Sequence, residues 1–341
     1  MEMTLKVAPL IATVALGVLS LSGCGGQDSE KPVAAVATSP PLAIVPTQPT
    51  TKLEFSAYSD RGKILKSGLL PFDTSNGALR VLDSKTGKPV TEFEKLDDEL
   101  MHLIIVSSDL TRFYCLRPWY KGAGKFNFPI SIGIGGKYKL FAEYRPRGRG
   151  REVSQFEIRI EDSRSFIPEP KDSKPAPDKM EGGWIKKLAM PKTEAVDDSS
   201  DQSAFYLSGL PPYTISLMPM PTPLIAGQEA TLHFQVRDRA DQLVKDLQPY
   251  LSNFGHCVVI SQDTHTFLRI VPAPTGAKVA ASDGSRPGGA AKGGPDVMFK
   301  TTFPSAGLYR VWGEFKHQGM IFTASFMVEV AAAKPGDDTT Q

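Results

Sequence analysis

Cysteine is nearly absent. Three thiols in 341 residues, Cys24, Cys115 and Cys257, exclude a disulfide scaffold, a CxxC redox centre and a four-cysteine zinc site. An excess of one charge is missing too. With 39 basic against 37 acidic residues and a net charge of +2, the chain has no general attraction for nucleic acid, so any electrostatic role falls to a local patch. No segment carries a sustained helical period. No enzyme signature is complete either. Gly122-Ala-Gly124-Lys125 runs into Phe126, and Gly135-Gly136-Lys137 into Tyr138, so neither closes a P-loop. GxSxG and HExxH do not occur. The chain reads as a non-enzyme that needs no cofactor. What it does contain is 30 glycines, 28 prolines and 41% apolar residues, the mark of a turn-rich, all-β protein long enough for about two domains.

The N-terminus carries a signal. Met1 to Lys6 is short and weakly basic, Val7 to Leu21 is apolar, and Leu21-Ser22-Gly23-Cys24 ends the run. This pattern is a signal peptide over 1–23, too short to span a bilayer, and its end resembles the bacterial lipobox. That resemblance implies lipidation of Cys24, with several acyl chains as a stable membrane anchor. It also implies a place in the cell envelope, facing the periplasm or the exterior. In a Gram-negative cell Gly25 at the next position implies the outer membrane. Residues 24–51, rich in Gly, Ala, Pro, Ser and Thr, read as a flexible tether.

Beyond the tether the chain repeats itself. His102-Leu-Ile-Ile-Val-Ser-Ser-Asp109-Leu-Thr-Arg-Phe113 aligns with His256-Cys-Val-Val-Ile-Ser-Gln-Asp263-Thr-His-Thr-Phe267, and Pro118 matches Pro272 at the same offset. Gly136-Lys-Tyr138-Lys-Leu-Phe141-Ala-Glu143 aligns with Gly307-Leu-Tyr309-Arg-Val-Trp312-Gly-Glu314 at a wider one. The extra positions fall in a Gly/Ala/Pro loop over 273–295. Two copies of one domain follow, over 52–160 and 206–330, joined by a polar linker over 161–205 and followed by a tail over 331–341. In the second copy, short β-branched and aromatic runs predict seven strands, at Tyr213 to Met218, Ala230 to Val236, Cys257 to Ser261, Thr266 to Ile270, Val297 to Thr302, Leu308 to Phe315 and Ile321 to Val330. Seven strands in such a length predict two tandem immunoglobulin-like β-sandwiches without the usual inter-sheet disulfide.

The two repeated motifs, with the proline-bearing turn between them, resemble those of YtkA-like or cupredoxin-like secreted bacterial modules. The resemblance implies copper or heavy-metal handling through a His-x-His-Pro motif after the Asp-Leu-Thr-x-Phe segment. Here the two histidine positions hold Cys115 and Arg117 in copy one, and Arg269 and Val271 in copy two. Arginine cannot ligate a metal, so copy two has lost that site. In copy one, a two-residue turn at Ser108-Asp109 would set His102 opposite Cys115, whereas a longer turn would set Tyr114 or Leu116 there. With Met101 beside them, His102 and Cys115 form a candidate Cu(I) set. The competing reading makes His102 and His256 hydrogen-bonded strand-start residues and Cys115 a small core side chain. His233, His265 and His317 share no motif spacing and read as surface or strand-edge residues. Cys257 alternates with His256 and so faces the opposite side of its strand.

Arg145, Arg147, Arg149 and Arg151 alternate through a hairpin turn. They are a candidate contact with phosphate headgroups or an acidic partner, or else a solvated turn. The chain as a whole therefore reads as a lipid-anchored binding module for another envelope protein, not nucleic acid. Copper handling in copy one is the alternative.

Overall fold

The computed structural model describes residues 49–59, 64–65, 69–71, 74–130, 132, 134–161, 184–187, 213–251, 253–270, 272 and 293–333. The signal-peptide reading, Cys24, most of the tether, most of the 273–295 loop and most of the tail lie outside them. Every regular element among the described residues is a strand.

In the first half, one sheet runs β2 (Ile64–Leu65), β1 (Thr51–Ser59), β4 (Thr74–Asp83), β9 (Lys125–Pro129), β8 (Trp119–Tyr120). The other runs β3 (Leu69–Pro71), β11 (Glu152–Glu161), β10 (Gly136–Pro146), β6 (Met101–Ser107), β7 (Phe113–Leu116), with β5 (Phe93–Glu94) added to β10. The second half has one sheet of β12 (Trp184–Lys187), β13 (Tyr213–Met220), β15 (Glu229–Asp238), β18 (Asp296–Thr302). Its other sheet is β14 (Leu224–Ile225), β20 (Met320–Ala331), β19 (Gly307–His317), β16 (His256–Ser261), β17 (Phe267–Ile270). Each of the seven strands expected in copy two is present. The order β1-β4-β9 recurs as β13-β15-β18, and β3-β11-β10-β6-β7 recurs as β14-β20-β19-β16-β17, down to a short parallel pairing at the edge, β3 with β11 and β14 with β20. Both halves are immunoglobulin-like sandwiches. The stretch read as an interdomain linker is not all linker: β12 pairs antiparallel with β13 and so belongs to the second sandwich.

Burial follows the hydrophobic pattern of each strand. Alternating strands such as β13 and β15 bury one face in the sandwich core and leave the other half-exposed. β6 and β16 do not alternate. Every residue of both is buried, and their sequences, MHLIIVS and HCVVIS, are nearly continuous apolar runs of the kind that marks burial on two sides. One side faces its own core: Met101, Leu103 and Ile105 in the first sandwich, Cys257 and Val259 in the second. The other side packs against the opposite sandwich. There Ile104, Val106, Leu110, Cys115 and Phe141 form a single cluster with Val258, Ile260, Phe267 and Trp312. Both sandwiches fall within one compact unit.

The strand that leads into this shared face is fixed in the same way twice. Gly136 and Gly307 open β10 and β19 at φ of 145° and 141°, a region that only glycine enters readily. Two residues on, the Tyr138 hydroxyl donates to the Ile134 carbonyl at 2.7 Å, and the Tyr309 hydroxyl to the Ser305 carbonyl at 2.9 Å. This is the tyrosine corner of immunoglobulin-like sandwiches. Tyr138→Phe and Tyr309→Phe keep the ring and lose the bond. Each is expected to lower stability by about 1–3 kcal/mol, read as an earlier midpoint in urea unfolding.

Candidate functional site

The turn after β6 decides where Cys115 lies. The Ser107 hydroxyl donates to Asp109 at 2.5 Å, the Asp109 carboxylate accepts from the Thr111 amide at 3.0 Å, and the Arg112 amide donates to the Ser107 hydroxyl oxygen at 2.9 Å. Leu110 takes a positive φ of 58° to close it. Ser261, Asp263 and Thr264 repeat the arrangement in copy two. The loop is therefore longer than a two-residue hairpin, and the first strand pair is Val106 with Phe113. Cys115 sits opposite Ile104, not opposite His102, and β7 ends at Leu116 before reaching the register position of His102. Cys115 still shares the face of Ile104 and His102, because register shifts of two preserve the face. Met101 does not. It points into the core of the first sandwich with no exposed surface, so the His102, Cys115 and Met101 set expected for Cu(I) is not assembled.

What the fold brings together instead is a polar cluster between the two facing sheets. The contacts are reciprocal. Phe113 of copy one stacks on Trp312 of copy two with centroids 4.9 Å apart, while Phe267, the counterpart of Phe113, stacks at 4.7 Å on Phe141, the counterpart of Trp312. The equivalent histidines His102 and His256 stack on each other at 6.2 Å. When residue i meets j and the counterpart of j meets the counterpart of i, the contact is isologous, like that of a twofold dimer.

The polar groups keep the pattern but not the chemistry. Glu143 and Glu314 occupy equivalent positions, each paired in register with its own histidine, His102 or His256. Each faces the partner sandwich's residue at the degenerate metal-motif position. Glu143 meets Arg269, which also reaches Asp97 at 2.5 Å, and Arg151 binds the second Glu143 oxygen. Glu314 meets Cys115, whose thiol interacts with the carboxylate and with the Tyr250 hydroxyl. The Arg117 guanidinium lies 5.1 Å from the Tyr250 ring centroid. Lacking a guanidinium, Glu314 instead accepts a 2.8 Å hydrogen bond from His256 Nδ1. His102, whose carboxylate neighbour is taken by the arginines, donates from Nε2 to the Leu96 carbonyl at 2.8 Å. One buried nitrogen on each ring has no partner among the described residues, His102 Nδ1 and His256 Nε2.

Burial sets the titration behaviour. Desolvation, with the positive charge of Arg269 and then the neighbouring His256, holds the His102 pKa well below that of an exposed imidazole. Burial, and next the Glu314 charge, pushes the Cys115 thiol well above its usual range. The same two causes raise the Tyr250 hydroxyl. Burial alone opposes the Arg269 charge, but Glu143 and Asp97 overcome it and keep the guanidinium protonated.

The remaining sequence candidates are placed elsewhere. The four alternating arginines do not form a free positive tip. Arg145 faces Glu94 at 3.8 Å, Arg147 faces Glu92 at 3.0 Å, Arg149 faces Asp83 at 2.7 Å, and Arg151 is drawn into the cluster by Glu143. Their charge is matched locally because the hairpin lies against acidic turns of its own sandwich. Cys257 is buried in the second core, on the far side of β16 from His256, so no bridge joins it to Cys115. His317 is not a surface residue. It is buried between the Tyr213 hydroxyl at 2.8 Å and Asp246 at 2.9 Å. Glu143, Glu314, Asp97 and Tyr250 went unrecognised as site residues. The two glutamates carried a readable signal, since they recur at the same place in both copies of the repeat.

Two outcomes follow. The folded-state pKa of His102 lies below its unfolded value of about 6.5, so its contribution to stability is complete above that value and falls as the unfolded chain takes up the proton on acidification. Thermal stability is expected to drop below about pH 6.5, by at most about 1.4 kcal/mol per pH unit for this group, and His102→Gln flattens the slope in a pH series of melts. Glu143→Ala strands two buried guanidinium groups and is expected to cost about 3–5 kcal/mol. The Glu143→Leu, Arg269→Met pair is expected to recover most of that loss, as measured by denaturant unfolding of both variants.

Comparison with known proteins adds a family. None of the curated proteins is similar enough in sequence to match. Among solved structures, the bacterial integrin-binding protein invasin is 12% identical with a TM-score of 0.22, over 83% of this chain and 40% of its own. Surface layer protein SbsC, domains 4–9, is 10% identical with a TM-score of 0.21, over 82% and 28%. A titin Ig tandem is 8% identical with a TM-score of 0.18, over 83% and 97%. The chain thus spans less than half of the invasin chain. One family model matches in two segments, one in each sandwich, at residues 64–162 and 210–332. These segments cover most of the chain, which belongs to the family described as a domain of unknown function (DUF8832).

Proposed function

We propose that this protein is a non-catalytic interaction module of the cell envelope, held to a membrane by lipid on Cys24, and that its two sandwiches present their outer sheets to another envelope protein. One observation carries this reading. The side chains best suited to chemistry, His102, His256, Cys115, Glu143 and Glu314, are all buried between the two sandwiches, where Glu143 meets Arg269 across the contact, Cys115 meets Glu314, and the two histidines stack on each other. They join the halves and are withdrawn from any dissolved substrate. Lysine and aromatic side chains stand outside. Trp119, on the edge strand β8, is 41% exposed with the Lys121 ammonium 5.8 Å from its ring centroid. An exposed tryptophan on a sheet edge suits a protein contact. The envelope location is supported by the resemblance of Leu21 to Cys24 to a lipobox, and the near-neutral charge gives no reason for nucleic acid.

The test combines anchoring with contact. In cells exporting the full chain, the wild type is expected in the membrane fraction and Cys24→Ser in the soluble one. A photocrosslinking amino acid at Trp119 is expected to yield a discrete protein adduct, and the same group at the sandwich-facing Phe113 none outside the chain. A soluble wild type, or no adduct from Trp119 or other outer-sheet positions, would overturn the reading.

A further inference from the structure

We infer that the Cys115, His256 and Glu314 side chains bind one divalent metal ion of the zinc class, which locks the two sandwiches together. One ligand atom from each residue lies within 4.8 Å of the others, and all three residues are buried. In a tetrahedral site with metal–ligand bonds of about 2.0 to 2.3 Å, ligand atoms stand about 3.3–3.8 Å apart. The cluster needs to close by no more than the order of 1 Å, within the reach of side-chain rotation.

The reciprocal architecture supplies the argument. In the mirror half, the charge of buried Glu143 is met by Arg269 and Arg151, with Asp97 on the far side of Arg269. Two carboxylates and two guanidinium groups sum to zero. In the Cys115 half the position of Arg269 is held by a thiol, and by strand register Ile321 stands where Arg151 does. Glu314 is buried there, and no guanidinium among the described residues is in contact with it. A divalent ion bound by the Glu314 carboxylate, the Cys115 thiolate and neutral His256 also sums to zero, so the metal would occupy the electrostatic place that Arg269 fills on the other side. A monovalent Cu(I) would leave a buried negative charge. A hard ion such as Mg²⁺ or Ca²⁺ would not choose a sulfur ligand. A second observation is independent of charge: His256 Nε2 is buried with no hydrogen-bond partner among the described residues, so this ring still has a lone pair to give. On binding, the metal–sulfur bond forms as the thiol proton leaves to solvent. The Tyr250 hydroxyl, already on the Cys115 sulfur, is an outer contact for the thiolate.

This inference does not depend on the partner-binding role proposed above. Its test is zinc titration of the reduced full chain by equilibrium dialysis with metal analysis, alongside Co²⁺ absorption as a probe of sulfur ligation. The expected result is one tightly held equivalent, a thiolate-to-cobalt charge-transfer band, and a zinc-dependent rise in Tm. Cys115→Ser and Glu314→Gln are each expected to weaken zinc by about a hundredfold or more and to remove the band or shift it. Cys115→Arg imports the guanidinium of the mirror half. It is expected to fold stably with no Tm response to zinc or chelator. A folded wild type that holds no zinc and shows no cobalt–thiolate band overturns the proposal. So does zinc binding of unchanged affinity in both Cys115→Ser and Glu314→Gln, because it places the ion on other residues. Should one of those variants fail to fold, the wild-type cobalt spectrum and the other variant decide the matter.

Discussion

Two strands that cannot meet water on either side govern this molecule. β6 and β16 lie inside their sheets, each next to an edge strand, and are buried throughout. A single sandwich covers only one face of such a strand, and exposing the other would cost roughly 25 cal/mol for each Å² of apolar surface left in water. The equivalent face of the second sandwich supplies the missing cover. The stacked rings of Phe113 and Trp312, and of Phe141 and Phe267, then follow from placing two copies of one surface against each other.

Apolar packing does not explain the polar centre of that contact, where ionisable side chains, among them His102, His256, Cys115, Glu143, Glu314 and Arg269, are buried together. Buried charges survive only when paired and hydrogen-bonded. On one side, Arg269 and Arg151 meet that condition with permanent charge. On the other, Cys115, His256 and Glu314 meet it with protons that can be shared or displaced. Two differences at equivalent positions, cysteine against Arg269 and isoleucine against Arg151, account for the divergence. They also explain why the two histidines, equal in the repeat, make different bonds: His256 follows its free glutamate, and His102, deprived of one, turns to a backbone carbonyl.

The fold was legible in the sequence because its signals are local. Alternation in β13 and β15, turn residues between short runs, and the repeated Gly-x-Tyr that starts β10 and β19 each act within a few residues. The strand β12 was missed because it sits in a polar, proline-rich stretch whose composition outweighs a four-residue run. The site was only half legible. His102 and Cys115 were correctly placed on one face. The length of the Ser107 to Arg112 turn depends on side-chain to backbone bonds that no spacing rule reveals, and the register moved by two as a result. More fundamentally, the partners of Cys115 come from the other copy, and no reading within one repeat finds a neighbour supplied by tertiary packing. The unbroken apolar runs of β6 and β16 were the available sign that something covered their outer faces. The alternating arginines misled for the opposite reason, since the carboxylates that neutralise them lie distant in the chain.

The reciprocal contact also bears on ancestry. A surface that is complementary to its own duplicate is what a self-associating single sandwich possesses, and the tandem chain preserves that geometry inside one polypeptide. Separate identical subunits must carry every substitution twice, so an arginine placed to neutralise one glutamate appears on both sides of the axis. Once the copies are joined by a covalent link, that rule lapses. One copy can harden its half of the seam with fixed charge while the other retains exchangeable chemistry. Heterogeneity at the seam is therefore a freedom that one chain carrying both copies has and a pair of identical subunits lacks.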